Sequence, residues 1–168
     1  QVMQTNHLQF TDLAQITTHV HQGAIDVLGA VTDPKTVHQS KFSMGTVLAI
    51  VAKYGHAGLD EFENHFLDPE ICQLRDNVSM QLDPQVDQAY PQRWIGKVSV
   101  TTHAGIEFHG QLDEPKGDPG NTLARSEIES KAIRLALFSQ GASESEMQSI
   151  IAQLWQIAHA PQVSYLFK

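Results

Sequence analysis

Val98-Ser99-Val100-Thr101-Thr102-His103-Ala104-Gly105-Ile106-Glu107-Phe108-His109-Gly110-Gln111-Leu112 decides the fold class. Val98, Val100 and Thr102 alternate with polar residues, and after His103-Ala104-Gly105 the alternation resumes at Ile106, Phe108 and Leu112. A period of two is the mark of a half-buried strand, and so short a glycine-containing link makes the two segments an antiparallel hairpin. A two-residue turn at Ala104-Gly105 pairs His103 with Ile106 and points His109 to the face opposite His103. Upstream, Val78, Met80 and Leu82 alternate in the same way, joined to the hairpin by the proline-containing link Asp83 to Arg93. The expectation is one antiparallel sheet built from Val78 to Leu82, Val98 to Thr102 and Ile106 to Leu112, with helices on one face.

The flanks read as helix. From 12 to 30, Leu13, Ile16, Val20, Ala24, Val27 and Leu28 recur at helical spacing, although Gly23 and several β-branched residues work against it. Phe42 to Tyr54 is apolar nearly all round, as a buried helix is. Leu59 to Leu67 forms a short amphipathic helix, and Asp68-Pro69 starts another over Glu70 to Asn77. Past the breaker-rich loop Pro115 to Asn121, Ser126-Glu127-Ile128-Glu129 and Ser143-Glu144-Ser145-Glu146 read as capping boxes, opening helices to about Phe138 and about His159. A run of elements in the order helix, sheet, helix implies an α+β domain of about three or more strands rather than alternating βαβ units. The 168 residues suit a single domain, 1–168, with 123–168 as closing helices.

Composition narrows the function. Hydrophobic residues make up 41% and charged residues 18%, a globular balance, and no apolar run approaches the roughly 18 residues that cross a bilayer. Nineteen acidic against 11 basic side chains leave a formal charge of −8, with no Lys or Arg block to hold phosphate backbones or anionic lipid, so neither nucleic acid nor membrane is an expected partner. Cys72 is the only cysteine, which excludes an internal disulfide and any thiolate-rich zinc site. Gln1 to His7 shows neither a basic nor an apolar signal region, and a cytoplasmic setting is the expectation.

The site candidates are sparse. Nine histidines invite a metal reading, but His19 and His21 fall on different faces of the expected helix, and His103 and His109 diverge across the hairpin. No metal site is expected. Lys116, Gly117 and Gly120 precede a helix and form either a turn with a cap or a carboxylate-binding edge. No nucleophile elbow occurs, and Cys72 beside Ile71 and Leu74 reads as a small buried hydrophobe.

Motifs in order carry the reading further. Lys41-Phe42-Ser43-Met44 runs into the apolar helix and on to Tyr54-Gly55-His56-Ala57-Gly58-Leu59-Asp60-Glu61-Phe62. With His21-Gln22-Gly23-Ala24-Ile25-Asp26, the strand Val98 to Gly105 and the loop Pro115-Lys116-Gly117-Asp118-Pro119-Gly120-Asn121, this set resembles the MmgE/PrpD family from about Phe10 to Leu137. That family includes 2-methylcitrate dehydratase, cis-aconitate decarboxylase and iminodisuccinate epimerase. Its members have a helical domain followed by a smaller α+β domain, and the resemblance is to the second domain with its closing helices.

The resemblance implies cofactor-free chemistry on a small polycarboxylate. A proton is taken from the carbon next to a carboxylate, and water or carbon dioxide is then lost or the proton is returned to the other face. Most acid-base groups of the family belong to the helical domain, so catalysis is expected only when such a domain completes the site. Relatives place a Lys before the His-Ala-Ile-Asp segment and a Tyr after Phe-Ser; here no Lys precedes Lys35, and Thr46 falls near the Tyr position. A lyase or isomerase is implied without fixing which. The candidate catalytic residues are His21 and Thr46, and the candidate substrate-binding residues are Lys41, Ser43 and Lys116. Each has a plainer reading too: His21 as a cap within its helix, Ser43 and Thr46 bonding back to the preceding turn, Lys41 snorkelling to solvent. The alternative function is a non-catalytic domain used for association. A homo-oligomer is expected, through the last helix, with Ile150, Ile151, Leu154 and Trp155, and the tail Val163 to Phe167.

Overall fold

Four of the five residues from Ile16 to Val20 are β-branched, and they set the architecture, because crowding at Cβ favours an extended chain. In the computed structural model, which describes residues 1–159, a one-turn helix α1 (Val2–Thr5) precedes a strand β1 (Leu13–Val20). The helix expected over 12 to 30 is therefore corrected to a strand followed by a short helix, α2 (Gln22–Leu28). The helical spacing arose from joining two elements across His21, where the backbone is still extended at φ −77° and ψ 161°.

A helical layer comes next: α3 (Val37–Lys41), α4 (Met44–Tyr54), α5 (Leu59–His65) and α6 (Pro69–Arg75). The apolar segment is α4 as expected, capped by Ser43 and ended by Gly55 at φ 80°, a left-handed conformation that suits a residue without Cβ. α4 and α6 approach closely at Gly45, where a Cβ would lie 2.8 Å from the Arg75 carbonyl oxygen.

The remaining strands are β2 (Val78–Leu82), β3 (Gly96–Thr102) and β4 (Glu107–Leu112), with α7 (Pro84–Ala89) inside the link between β2 and β3. The sheet order is β2-β1-β3-β4. β1 pairs in parallel with β2 and antiparallel with β3, and β3 pairs antiparallel with β4, so the fold is α+β with a mostly antiparallel sheet. β2 is thus not the hairpin's neighbour, because β1 stands between them.

One face of the sheet is apolar and one polar. Ile16 lies between Val78 and Val100, and Thr18 between Met80 and Val98. This face meets the helical layer in a core of Leu13, Ile16, Ala49, Ile50, Phe62, Phe66, Ile71, Leu74 and Val100. α1 closes over β4 at Gly110, where any Cβ would run into Val2. The other face carries Thr17, His19, Ser99, Lys97, Thr101, His109 and Gln111, as strand alternation requires.

The chain divides into two compact units, Gln1–Asn121 and a second beginning at Thr122. In the second, α8 (Arg125–Phe138) and α9 (Glu144–Trp155) pack together, and Arg125 lies over the Trp155 ring at 4.4 Å. Neither helix contains a buried residue. Ser143 and Glu146 form the expected capping box. α8 starts earlier than the Ser126 reading, at an Ala124 cap whose N–H donates to Glu127 at 2.7 Å, since that carboxylate reaches back three residues. The tail Val163 to Phe167 lies outside the described residues. No helix among those described is long and apolar enough to cross a membrane.

Candidate functional site

His21 stands where β1 gives way to α2. Its Nδ1 accepts the Ala24 backbone N–H at 3.2 Å, so the neutral ring carries its proton on Nε2. Tyr90 stacks on the ring at 3.9 Å between centroids and 8° between planes, and Trp94 meets it edge-on at 6.0 Å. These aromatic groups fix the plane of the imidazole, while the Gln22 N–H donates to Asp87 and ties the start of α2 to α7. The half-buried histidine thus serves as the expected helix cap and also presents one fixed donor.

Histidine placement on the sheet departs from expectation. In an extended chain residues two apart share a face, so His19 and His21 leave the backbone on the same side rather than on opposite helix faces. The hairpin register also differs by one residue from the two-residue turn. Thr102 N–H donates to the Ile106 carbonyl, Gly105 takes φ 77° in a three-residue loop, and His109 pairs with Ser99. His19 Nε2 and His109 Nδ1 consequently both lie 3.0 Å from the Ser99 hydroxyl, which is buried. Ser99 has one proton, so it donates to one ring and accepts from the other, and the three side chains form a hydrogen-bonded chain.

This chain lines a shallow groove of about 520 Å³ with Asp83, Lys97, Glu107 and Gln111. The Lys97 ammonium donates to Asp83 at 2.9 Å. That contact, with the Val86 and Gln85 N–H groups, holds the Asp83 carboxyl below the usual carboxylate range. Sequence reasoning missed the trio because it requires β1 to be a strand and the hairpin loop to have three residues.

The other candidates are dispersed. The Ser43 hydroxyl accepts the Thr46 N–H at 3.4 Å and the Thr46 hydroxyl at 3.0 Å, and both residues are fully buried. Of the five predicted residues, these two are brought together, and they spend their polar groups on capping α4. Arg75 lies against Gly45 of the same turn, bonded through Nε to Asp76 at 2.8 Å and paired with Asp33 at 3.3 Å. Burial works against its charge, but the hydrogen bond to Asp76 and the nearby negative groups outweigh it and push the guanidinium pKa above its ordinary value. Lys41 is exposed at the end of α3, its ammonium 6.0 Å from the Phe62 ring. Lys116 is exposed in the loop after β4, where the N–H of Gly117 (φ 108°) donates to the Asn121 carbonyl and closes the turn.

Among the described residues no group of three or more His, Cys, Asp or Glu has the geometry to hold a metal ion. The sequence profile of the MmgE/PrpD C-terminal domain matches residues 1–157. No curated protein matches the chain.

Proposed function

Because the chain belongs to the MmgE/PrpD family, as its C-terminal domain, we propose that it forms one wall of a lyase or isomerase site for a small polycarboxylate, completed by a helical domain. The observation that carries this reading is His21, a half-buried imidazole fixed by a backbone N–H and by Tyr90, with its Nε2 proton left to give. A neutral imidazole is a hydrogen-bond donor rather than a strong acid. Its role is to hold a carboxylate oxygen and stabilise the negative charge that gathers there as the neighbouring carbon loses its proton. The base that takes the proton comes from the helical domain, and the electron pair then expels a hydroxyl group, which leaves as water once protonated, or takes a proton on the other face; in a decarboxylation the electron pair of the breaking carbon–carboxylate bond stays on carbon and takes up a proton. Lys41 and Lys116, both exposed, supply positive charge toward the carboxylates.

The test has two parts. The chain alone should not turn over 2-methylcitrate, cis-aconitate or iminodisuccinate, because proton abstraction needs a positioned base. Joined to the helical domain of a family member, it should turn over one of them, and His21→Ala should lower kcat about a hundredfold. Turnover by the isolated chain that survives repurification overturns the first claim; full activity of the His21 variant overturns the second. A second reading, an association domain without catalysis, is favoured by Ser43 and Thr46, whose hydroxyls are closed to solvent.

A further inference from the structure

The turn from β1 into α2 is gripped from outside by α7 and the residues that cap it. The Asp83 N–H donates to the Val20 carbonyl at 3.0 Å, Asp87 accepts the Gln22 N–H at 2.8 Å, and between these two contacts Tyr90 stacks on His21. Positions 83, 87 and 90 are spaced by four and three residues, so one side of a short helix meets Val20, His21 and Gln22 in turn. The grip spans 65 residues of chain between Gln22 and Asp87. α7 is itself anchored, because Val86 is 1% exposed and Lys97 of β3 donates to Asp83 at 2.9 Å.

The Ala24 N–H alone is a weak restraint on the imidazole. One neutral hydrogen bond at 3.2 Å leaves a ring that can turn about its Cβ–Cγ bond and carry its proton on either nitrogen. Tyr90 removes that freedom, because with 3.9 Å between centroids any rotation drives the edge of the imidazole into the phenol ring. Gly23 closes the side toward α2, where a Cβ would stand 3.3 Å from Nδ1. Trp94 lies beside the stack rather than on it: a ring continuing the stack would be about twice as far from His21 as Tyr90 is, yet Trp94 is 6.0 Å from His21 and 5.1 Å from Tyr90. We infer, on the reading of His21 as the donor to a substrate carboxylate, that Tyr90 is a positioning residue. It acts through His21, holding the plane and tautomer of the imidazole from α7, and its hydroxyl takes no part. The link between β2 and β3 thereby becomes a working part of the site.

Two substitutions separate the ring from its hydroxyl. Tyr90→Phe keeps the stack and Tyr90→Ala removes it, and since Tyr90 is 37% exposed both variants should keep the wild-type circular dichroism spectrum. In the full chain, a long-range proton–nitrogen spectrum should show His21 as the Nε2–H tautomer in the wild type and in Tyr90→Phe, and as a mixture of both tautomers in Tyr90→Ala. In the chain joined to a helical domain, Tyr90→Ala should lower kcat about tenfold with KM within about twofold, because a misdirected donor fails the transition state more than the bound substrate. Tyr90→Phe should restore kcat, and Tyr90→Ala should cost nothing further once His21 is replaced by Ala. A pure Nε2–H tautomer in Tyr90→Ala overturns the proposal, as do additive losses in the double variant. Equal losses in Tyr90→Phe and Tyr90→Ala overturn it too, since the hydroxyl would then be touching substrate. If His21→Ala alone leaves kcat unchanged, the polycarboxylate reading fails, while the tautomer still decides whether Tyr90 holds the ring.

Discussion

Thr18 shows how much a single hydroxyl costs when the fold buries it without an acceptor. Replacing it by Val keeps the shape and removes the unpaired group, so Thr18→Val should gain about 1 kcal/mol by urea denaturation. An unchanged or lower stability would mean that the hydroxyl is satisfied. His21 makes a second residue-scale prediction. With Nδ1 accepting from Ala24, a long-range proton–nitrogen spectrum of the neutral ring should show the Nε2–H tautomer, and the Nδ1–H form would remove the role argued for it. The start of a helix at His21 was hidden by the apolar spacing, which read as one helix from 12 to 30, and only the resemblance carried by His21 to Asp26 pointed to it. The meeting of His19 and His109 was hidden as well, because pairing depends on register, and a one-residue slip carries a side chain to the other face.

At the scale of elements, the contact between α4 and α6 leaves no room for a side chain at Gly45. Gly45→Ala places a methyl group against the Arg75 backbone and should cost about 1–3 kcal/mol of stability, as overpacking does. A neutral result in thermal melts would show that α6 can retreat. The turn into α7 gives a pH prediction. Asp83 has a folded pKa below its ordinary value, so it contributes stability that is complete above the ordinary carboxylate range and is lost as pH falls through the folded value. Melting temperature should therefore drop on acidification below about 4, and Asp83→Asn should flatten that dependence. The helices were largely readable, since caps and apolar stripes are local signals. β1 was misread because Ile16 and Val20 fit both periods while Leu13, which joins them on the core face only through the irregularity between Leu13 and Gln15, fits the helical one alone; the β-branched run and the end of the strand at His21 are what separate the two readings.

The whole molecule carries a formal charge of −8, and a mobility shift of duplex DNA by the purified chain should be absent at low salt, where cationic binders act most strongly. A retarded band would reveal a basic surface that the overall charge hides. The order of the sheet has a kinetic consequence. β1 is the first strand to be made and lies inside the sheet, yet Thr17 meets Ser79 across 62 residues of chain and His19 meets Ser99 across 80. The β3–β4 hairpin closes over a three-residue loop and should form early, whereas β1 must wait for partners that are synthesised long after it. Pulse-labelled hydrogen exchange should protect β3 and β4 before β1. During that wait the run from Ile16 to Val20, β-branched at four positions and without a charged side chain among them, is open to pairing with the same segment of another nascent chain. Substitutions that slow its docking should reduce soluble yield while leaving unchanged the melting temperature of the molecules that do fold.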